Sequence, residues 1–324
     1  MPCKCKSTRF GRVEWHYFGG GRAIYALGMK GILLAIDRGA ASWEATRLVV
    51  HMAPRLNAPV TVLSVLVPGT QVSGAKEQSE REYRAVRELV DDVVEELALA
   101  GITAKGEVLS STSNEVAGAI VATATRLDAE LIVMGSRARG ELVSLLLGSV
   151  SHAVARNADC PIVIVPTGAT ARLTPGRIVL VIDGEGDTEK PVTATAALAR
   201  AAEASVVVAC VGRTLGDRDQ TEFAPTANPD EAAVAAAVST LEKAGVEVRS
   251  HMIDNVWGQA PEIAREVLAI GADMIVMGSR SMGWIGGDVA PGAAEAVIRR
   301  THLPVVVAAS RRRSQVVGPH IHRN

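Results

Sequence analysis

The sequence predicts an α/β fold in duplicate: two tandem, doubly wound, open parallel sheets of five strands each, flanked by helices. Three observations carry this. The first is internal repetition. Ile132-Val133-Met134-Gly135-Ser136-Arg137 returns as Ile275-Val276-Met277-Gly278-Ser279-Arg280. Three weaker matches keep the same order and nearly the same spacing: Ile32–Asp37 with Ile178–Asp183, Ala100–Ile102 with Ala244–Val246, and Cys160–Val163 with Leu303–Val306. The second is alternation of short aliphatic runs with helical patterns. The third is that those runs are apolar on both faces, as strands of a helix-covered parallel sheet must be.

In the first copy the strands are expected at 31–37, 60–67, 104–109, 130–135 and 161–166. The first helix shows as Ala45, Leu48, Val49 and Met52 at helical spacing. The second is stronger: Val86, Leu89, Val90, Val93, Val94 and Leu97 over a surface of Glu, Asp and Arg. Val116, Ile120 and Ala124 mark a third helix, with Ser113 or Asn114 as its N-cap. Val150 and Val154 mark the fourth. Copy two repeats the plan.

The domain reading is therefore an N-terminal extension over 1–28, domain one over 29–167, a linker over 168–175, domain two over 176–310 and a tail over 311–324. The extension matches neither repeat, is read as poorly ordered, and holds half of the aromatics in the chain. The tail begins with Arg311-Arg312-Arg313 and reads as a solvated end.

Composition narrows the function classes. A net charge of −1 gives no electrostatic case for nucleic acid or an anionic membrane as partner. No apolar run approaches the roughly 20 residues that span a bilayer. With 3% aromatics, the cores must be aliphatic. Four cysteines in a chain this long suggest no disulfide framework, and Cys160 and Cys210 lie in apolar runs where a reduced buried thiol is expected. These features read as a cytoplasmic protein.

In a doubly wound sheet, ligands bind beyond the carboxyl ends of the strands where strand order reverses. Asp37 after the first strand, Ser64-Val65 in the second and Gly135 after the fourth are the positions of this kind in copy one. The loop Gly135-Ser136-Arg137-Ala138-Arg139-Gly140 leaves the fourth strand, and Gly148-Ser149 opens the last helix. Glycines expose backbone N–H groups and let an anion approach, while a helix N-terminus adds free donors and partial positive charge. Together they read as a phosphate cradle. It is neither a Walker loop nor a dinucleotide fingerprint.

At these residues the chain resembles the universal stress protein family over roughly 30–310. Nucleotide-binding members carry Gly, two residues, Gly, nine residues, then Gly-Ser or Gly-Thr. Here that pattern falls on Gly135, Ala138, Gly148 and Ser149. The resemblance implies the adenine nucleotide alpha hydrolase-like, Rossmann-like fold and an adenine nucleotide as ligand: ATP, with or without magnesium, or else AMP or a cyclic nucleotide. It further implies that Gly135, Gly148 and Ser149 hold phosphates, that Asp37 accepts ribose hydroxyls, and that Val65 and Met134 pack on adenine. Ala138 departs from the family's Gly. Arg137 and Arg139 stand where they could offset that loss at the phosphates.

In copy two, Asp183, Met277 and Gly278 remain, but Ser281 stands at the second Gly, Pro291 at the third and Gly292 at the Ser. Pro291 has no N–H and Gly292 no hydroxyl. Two such hydrogen bonds to a charged group are each worth about 1.5–3 kcal/mol, so the second site is expected to be weak or empty.

Each residue has a plainer reading. Asp37 could cap the following helix, Gly135 and Gly278 could serve only tight turns, and Glu88, Asp91, Asp92, Glu95 and Glu96 form a solvated face rather than a metal site. No nucleophile–base–orienter set recurs between copies, and no metal ligands are identified. The reading is thus a nucleotide-dependent stress-response regulator binding mainly in domain one. The alternatives are a slow magnesium-dependent ATP hydrolase and a nucleotide-free interaction protein. The resemblance also implies that the domains pair through 161–166 and 304–309 as an intramolecular pseudo-dimer, with a homodimer as a further assembly.

Overall fold

Aliphatic runs that cannot face water on either side, separated by one-sided helical stretches, build a single layered sheet. The computed structural model describes residues 29–68, 75–136, 149–169, 174–182, 188–211, 229–253, 260–278 and 300–308. The extension 1–28, the tail, linker residues 170–173, and Arg137, Ala138, Arg139, Gly148, Asp183, Ser281, Pro291 and Gly292 lie outside the described residues.

The first copy runs β1 (Ile32–Ile36), α1 (Ala40–Leu56), β2 (Val60–Leu66), α2 (Ala75–Leu99), β3 (Ala104–Ser110), α3 (Val116–Arg126), β4 (Leu131–Ser136), α4 (Ser149–Asn157) and β5 (Ile162–Pro166). The second runs β6 (Arg177–Ile182), α5 (Glu189–Ala202), β7 (Ser205–Val211), α6 (Pro229–Lys243), β8 (Val248–Ile253), α7 (Ala260–Ala269), β9 (Met274–Gly278) and β10 (Val305–Ala308).

The strand order is β3-β2-β1-β4-β5-β10-β9-β6-β7-β8. Each half is a parallel, doubly wound sheet of five strands, and the halves join where β5 and β10 pair antiparallel, with Val306 opposite Val163. That pairing satisfies two aliphatic strand edges that would otherwise be open to another chain. The order reverses between β1 and β4, and again between β6 and β9.

Alternation along each strand divides the core into two layers. Ile32, Leu34 and Ile36 face α1 and α2, and the same layer continues through Ile178, Leu180 and α5 and α6. Leu33, Ala35, Ile132 and Met134 face α3 and α4, continuous with Val179, Met277 and α7. Helix α1 also packs against α5 across the junction.

The repeated Ala-Gly-aliphatic triplet has a backbone cause. Gly101 and Gly245 have φ of +77° and +78°. Each ends a helix in a Schellman turn: Ile102 N–H reaches Leu97 C=O at 2.9 Å, and Val246 N–H reaches Leu241 C=O at 3.1 Å. At α3 the structure corrects the expected cap. Ser113 and Asn114 lie in the preceding turn, and Glu115 is the N-cap, in the right-handed helical region with no side-chain cap bond. Thr112 Oγ1 instead donates to the Glu115 carboxylate at 2.9 Å, which ties up the turn before the helix begins.

Cys160 is a half-buried cysteine and Cys210 a fully buried one. Burial pushes the Cys160 thiol up to about 11, so it stays protonated near neutral pH. No described helix is long and apolar enough to cross a membrane.

Candidate functional site

Parallel register brings the predicted positions of domain one to the carboxyl ends of neighbouring strands. Ile36 pairs with Ser64, so Asp37 and Val65 each stand one residue beyond that rung. Ala35 pairs with Met134, so Gly135 and Ser136 extend past the β1 rung on the other side. Val65 and Met134 both belong to the layer facing α3 and α4. Ser149, the first residue of α4, is exposed. Asp37, Val65, Met134 and Gly135 therefore stand on neighbouring strands at the point of strand-order reversal, where an open α/β sheet has its crevice.

Asp37 is already engaged. Its Oδ1 accepts the Gly39 N–H at 2.7 Å and the Ser42 hydroxyl at 2.9 Å, while Ser42 Oγ accepts the Asp37 N–H at 2.9 Å. Gly39 is the N-cap of α1, in extended conformation and without a side-chain cap of its own. The Asp37 carboxylate thus sits at the positive end of α1 and forms a short turn with it. Asp37 therefore has partners to lose on unfolding, the buried Ser42 among them. Ser42 carried no sequence signal of its own, since its role depends on its hydroxyl meeting Asp37.

Gly135 has a packing cause. A Cβ there would lie 2.5 Å from the Ala41 carbonyl carbon and 2.7 Å from its oxygen, so β4 and the first turn of α1 touch through backbone. At Gly278 the nearest atom is Pro191 Cγ at 3.7 Å, ordinary contact. The two copies of the same hexapeptide thus sit in different surroundings.

The backbone around the site is held from the linker side as well. Ser136 C=O accepts both the Thr167 N–H at 3.2 Å and its hydroxyl at 3.3 Å. Glu44, on the second turn of α1, accepts the Gly168 and Ala169 N–H groups at 3.1 and 3.3 Å. Neither Thr167 nor Glu44 carried a sequence signal, since both contacts depend on the linker folding back.

In domain two, Met277 is buried and Gly278 half-buried at the end of β9, beside β6. The other expected second-site residues fall outside the described set. Among the described residues no cluster of His, Cys, Asp and Glu could hold a metal ion. An open depression of about 430 Å³, lined by Leu66, Ser79, Glu80, Tyr83, Arg84 and Ser110, lies elsewhere. It lies beside α2 at the carboxyl ends of β2 and β3, where Leu66 follows Val65, and includes no residue of β1 or β4.

The universal stress protein family model matches twice, over residues 29–166 and 175–309. A universal stress protein of Mycobacterium tuberculosis (strain ATCC 25618 / H37Rv) is 26% identical over 306 residues, covering 86% of this chain and 94% of its own. A second from the same strain is 23% identical over 290 residues, covering 86% and 96%. Among solved structures, a universal stress protein from Archaeoglobus fulgidus DSM 4304 superposes with a TM-score of 0.64 at 20% identity, covering 86% of this chain and 96% of that one.

Proposed function

The chain belongs to the universal stress protein family as a tandem pair of its domains, and from that premise we propose that domain one binds ATP or a related adenine nucleotide. One observation supports the reading: the register of β1, β2 and β4 sets Asp37, Val65, Met134 and Gly135 at the carboxyl ends of neighbouring strands beside the β1–β4 reversal. In the proposed arrangement adenine packs against Val65 and Met134. Asp37 accepts the ribose hydroxyls. The phosphates lie toward Gly135, Gly148 and Ser149, with Arg137 and the backbone at Ala138 beside them. A helix N-terminus favours that polarity, since its free N–H groups and dipole both stabilise negative charge.

Domain two is proposed to bind the same ligand much more weakly or not at all. Pro291 and Gly292 stand where domain one has Gly148 and Ser149, removing one N–H and one hydroxyl. Asp183, Met277, Gly278 and Ser281 complete that degenerate site. Occupancy of domain one would favour one arrangement of the strand-end crevice, and a partner protein would read that arrangement as a stress-response signal. On this reading the protein works in the cytoplasm and needs no metal of its own beyond magnesium carried in with ATP.

The first test is mass spectrometry of the purified full chain for co-purified nucleotide. An adenine nucleotide released on denaturation is the expected result. Nucleotide-free protein that also fails to take up added ATP would rule the reading out in favour of a pure interaction module. A phosphate-release measurement with and without magnesium separates binding from slow hydrolysis. The binding reading expects no release above the protein-free background.

A further inference from the structure

Ser136 ends β4 and is only 3% exposed, yet its hydroxyl has no hydrogen-bond partner among the described residues. Its neighbours in burial behave otherwise. Ser42, Thr46, Ser64, Thr123 and Thr195 each donate a hydrogen bond to a carboxylate or a backbone carbonyl. Nor is the Ser136 backbone the cause, because its carbonyl already has both the Thr167 N–H and the Thr167 hydroxyl. A buried hydroxyl without a partner is unfavourable, and its persistence at a strand end calls for an explanation.

Direction supplies one. Side chains alternate across a strand. Gly135 turns its missing side chain toward Ala41 and the α1 layer. Met134 lies in the opposite layer, with α3 and α4. Ser136 therefore falls on the Met134 side, one pleat nearer the carboxyl end. On that side α4 packs against β4, and α4 begins at the exposed Ser149. The hydroxyl thus lies on the face of the sheet that carries the helix N-terminus, beyond the residue expected to meet adenine.

We infer that Ser136 Oγ is a ligand-binding donor: it gives its hydrogen bond to a phosphate oxygen of the nucleotide in domain one. The inference rests on the proposed nucleotide site and adds to it a side chain, that of the first of the two residues between Gly135 and Ala138. It has a signature that a merely structural serine lacks. Removing a structural hydroxyl lowers stability. Removing one that waits for a ligand lowers affinity while leaving the nucleotide-free fold as stable or more so.

The test compares the wild-type full chain with Ser136→Ala, by calorimetric titration with ATP and with adenosine and by thermal unfolding without nucleotide. Ser64→Ala, which loses a hydroxyl bonded to Ile36 C=O, is the stability control. Ser136→Ala is expected to weaken ATP about tenfold to a hundredfold, the size of a hydrogen bond to a charged group, and to change adenosine by less than about threefold. Its nucleotide-free Tm should equal or exceed that of wild type, while Ser64→Ala melts lower. Unchanged ATP affinity in Ser136→Ala overturns the inference alone. Equal losses for ATP and adenosine overturn the phosphate assignment. A drop in Tm matching Ser64→Ala shows that the hydroxyl serves the fold. Wild type that binds no ATP at all sinks the nucleotide reading, and this inference with it.

Discussion

At Asp37 a single carboxylate oxygen holds the Gly39 N–H and the Ser42 hydroxyl, so the residue proposed to meet ribose also sets the start of α1. The two roles separate by substitution. Asp37→Ala should cost about 1–2 kcal/mol of stability, as loss of a cap does. Asp37→Asn keeps an oxygen acceptor and should recover most of that, while losing the charge that suits ribose hydroxyls. Urea unfolding of the nucleotide-free chains checks this, and equal loss in both variants would show that charge at the helix end matters more than the acceptor. The glycine pair gives a second contrast. Gly135→Ala drives a Cβ into the Ala41 backbone and should destabilise by about 1–3 kcal/mol, whereas Gly278→Ala meets only Pro191 Cγ and should cost well under that. Both variants are read from the same unfolding curves, and equal costs would contradict the packing argument. Asp37, Val65, Met134 and Gly135 were legible in the sequence because strand ends, glycines and repeats leave local marks. Ser42 and Ser136 were not, because a serine's meaning depends on whether its hydroxyl finds a partner in three dimensions.

Helix α1 links the candidate site to the linker. Its first turn lies under Gly135, its start is tied to Asp37, and Glu44 one turn on holds the amides of Gly168 and Ala169. Its flank packs against α5 of the second domain. Glu44→Ala should therefore raise hydrogen exchange at the Gly168 amide severalfold, consistent with loss of a hydrogen bond worth about 1 kcal/mol, while Ala169, whose N–H also reaches Pro166 C=O at 3.2 Å, changes less and Ile164 in β5 stays protected. Unchanged exchange at Gly168 would mean that solvent already competes for its amide. Most elements were readable from periodicity, since each strand is a short aliphatic run and each helix shows one apolar stripe. Helix ends were less so. Gly101 announced its turn, but the α3 start was misplaced because Thr112 and Glu115, rather than Ser113 or Asn114, organise the turn. The fold of 168–169 onto α1 was invisible, as linker composition records flexibility and says nothing of what it will rest on.

Among the described residues the molecule forms a ten-stranded sheet in which only the β5–β10 pairing is antiparallel. Duplication was plain in the sequence, and so was the value of covering two aliphatic edge strands with each other. Tethering the partners in one chain raises their effective concentration and makes that pairing intramolecular. The consequence for function is asymmetry. The two halves share a topology, yet the sequence has Pro291-Gly292 where the first copy has Gly148-Ser149, with one N–H and one hydroxyl fewer. The central claim is one adenine nucleotide site per chain, in domain one. Calorimetric titration of the full chain with ATP tests it most directly. The account predicts a stoichiometry of about one, with the heat abolished by Gly148→Pro in a chain whose circular dichroism is unchanged. Two equivalent sites per chain, or a full binding isotherm in Gly148→Pro, would contradict it.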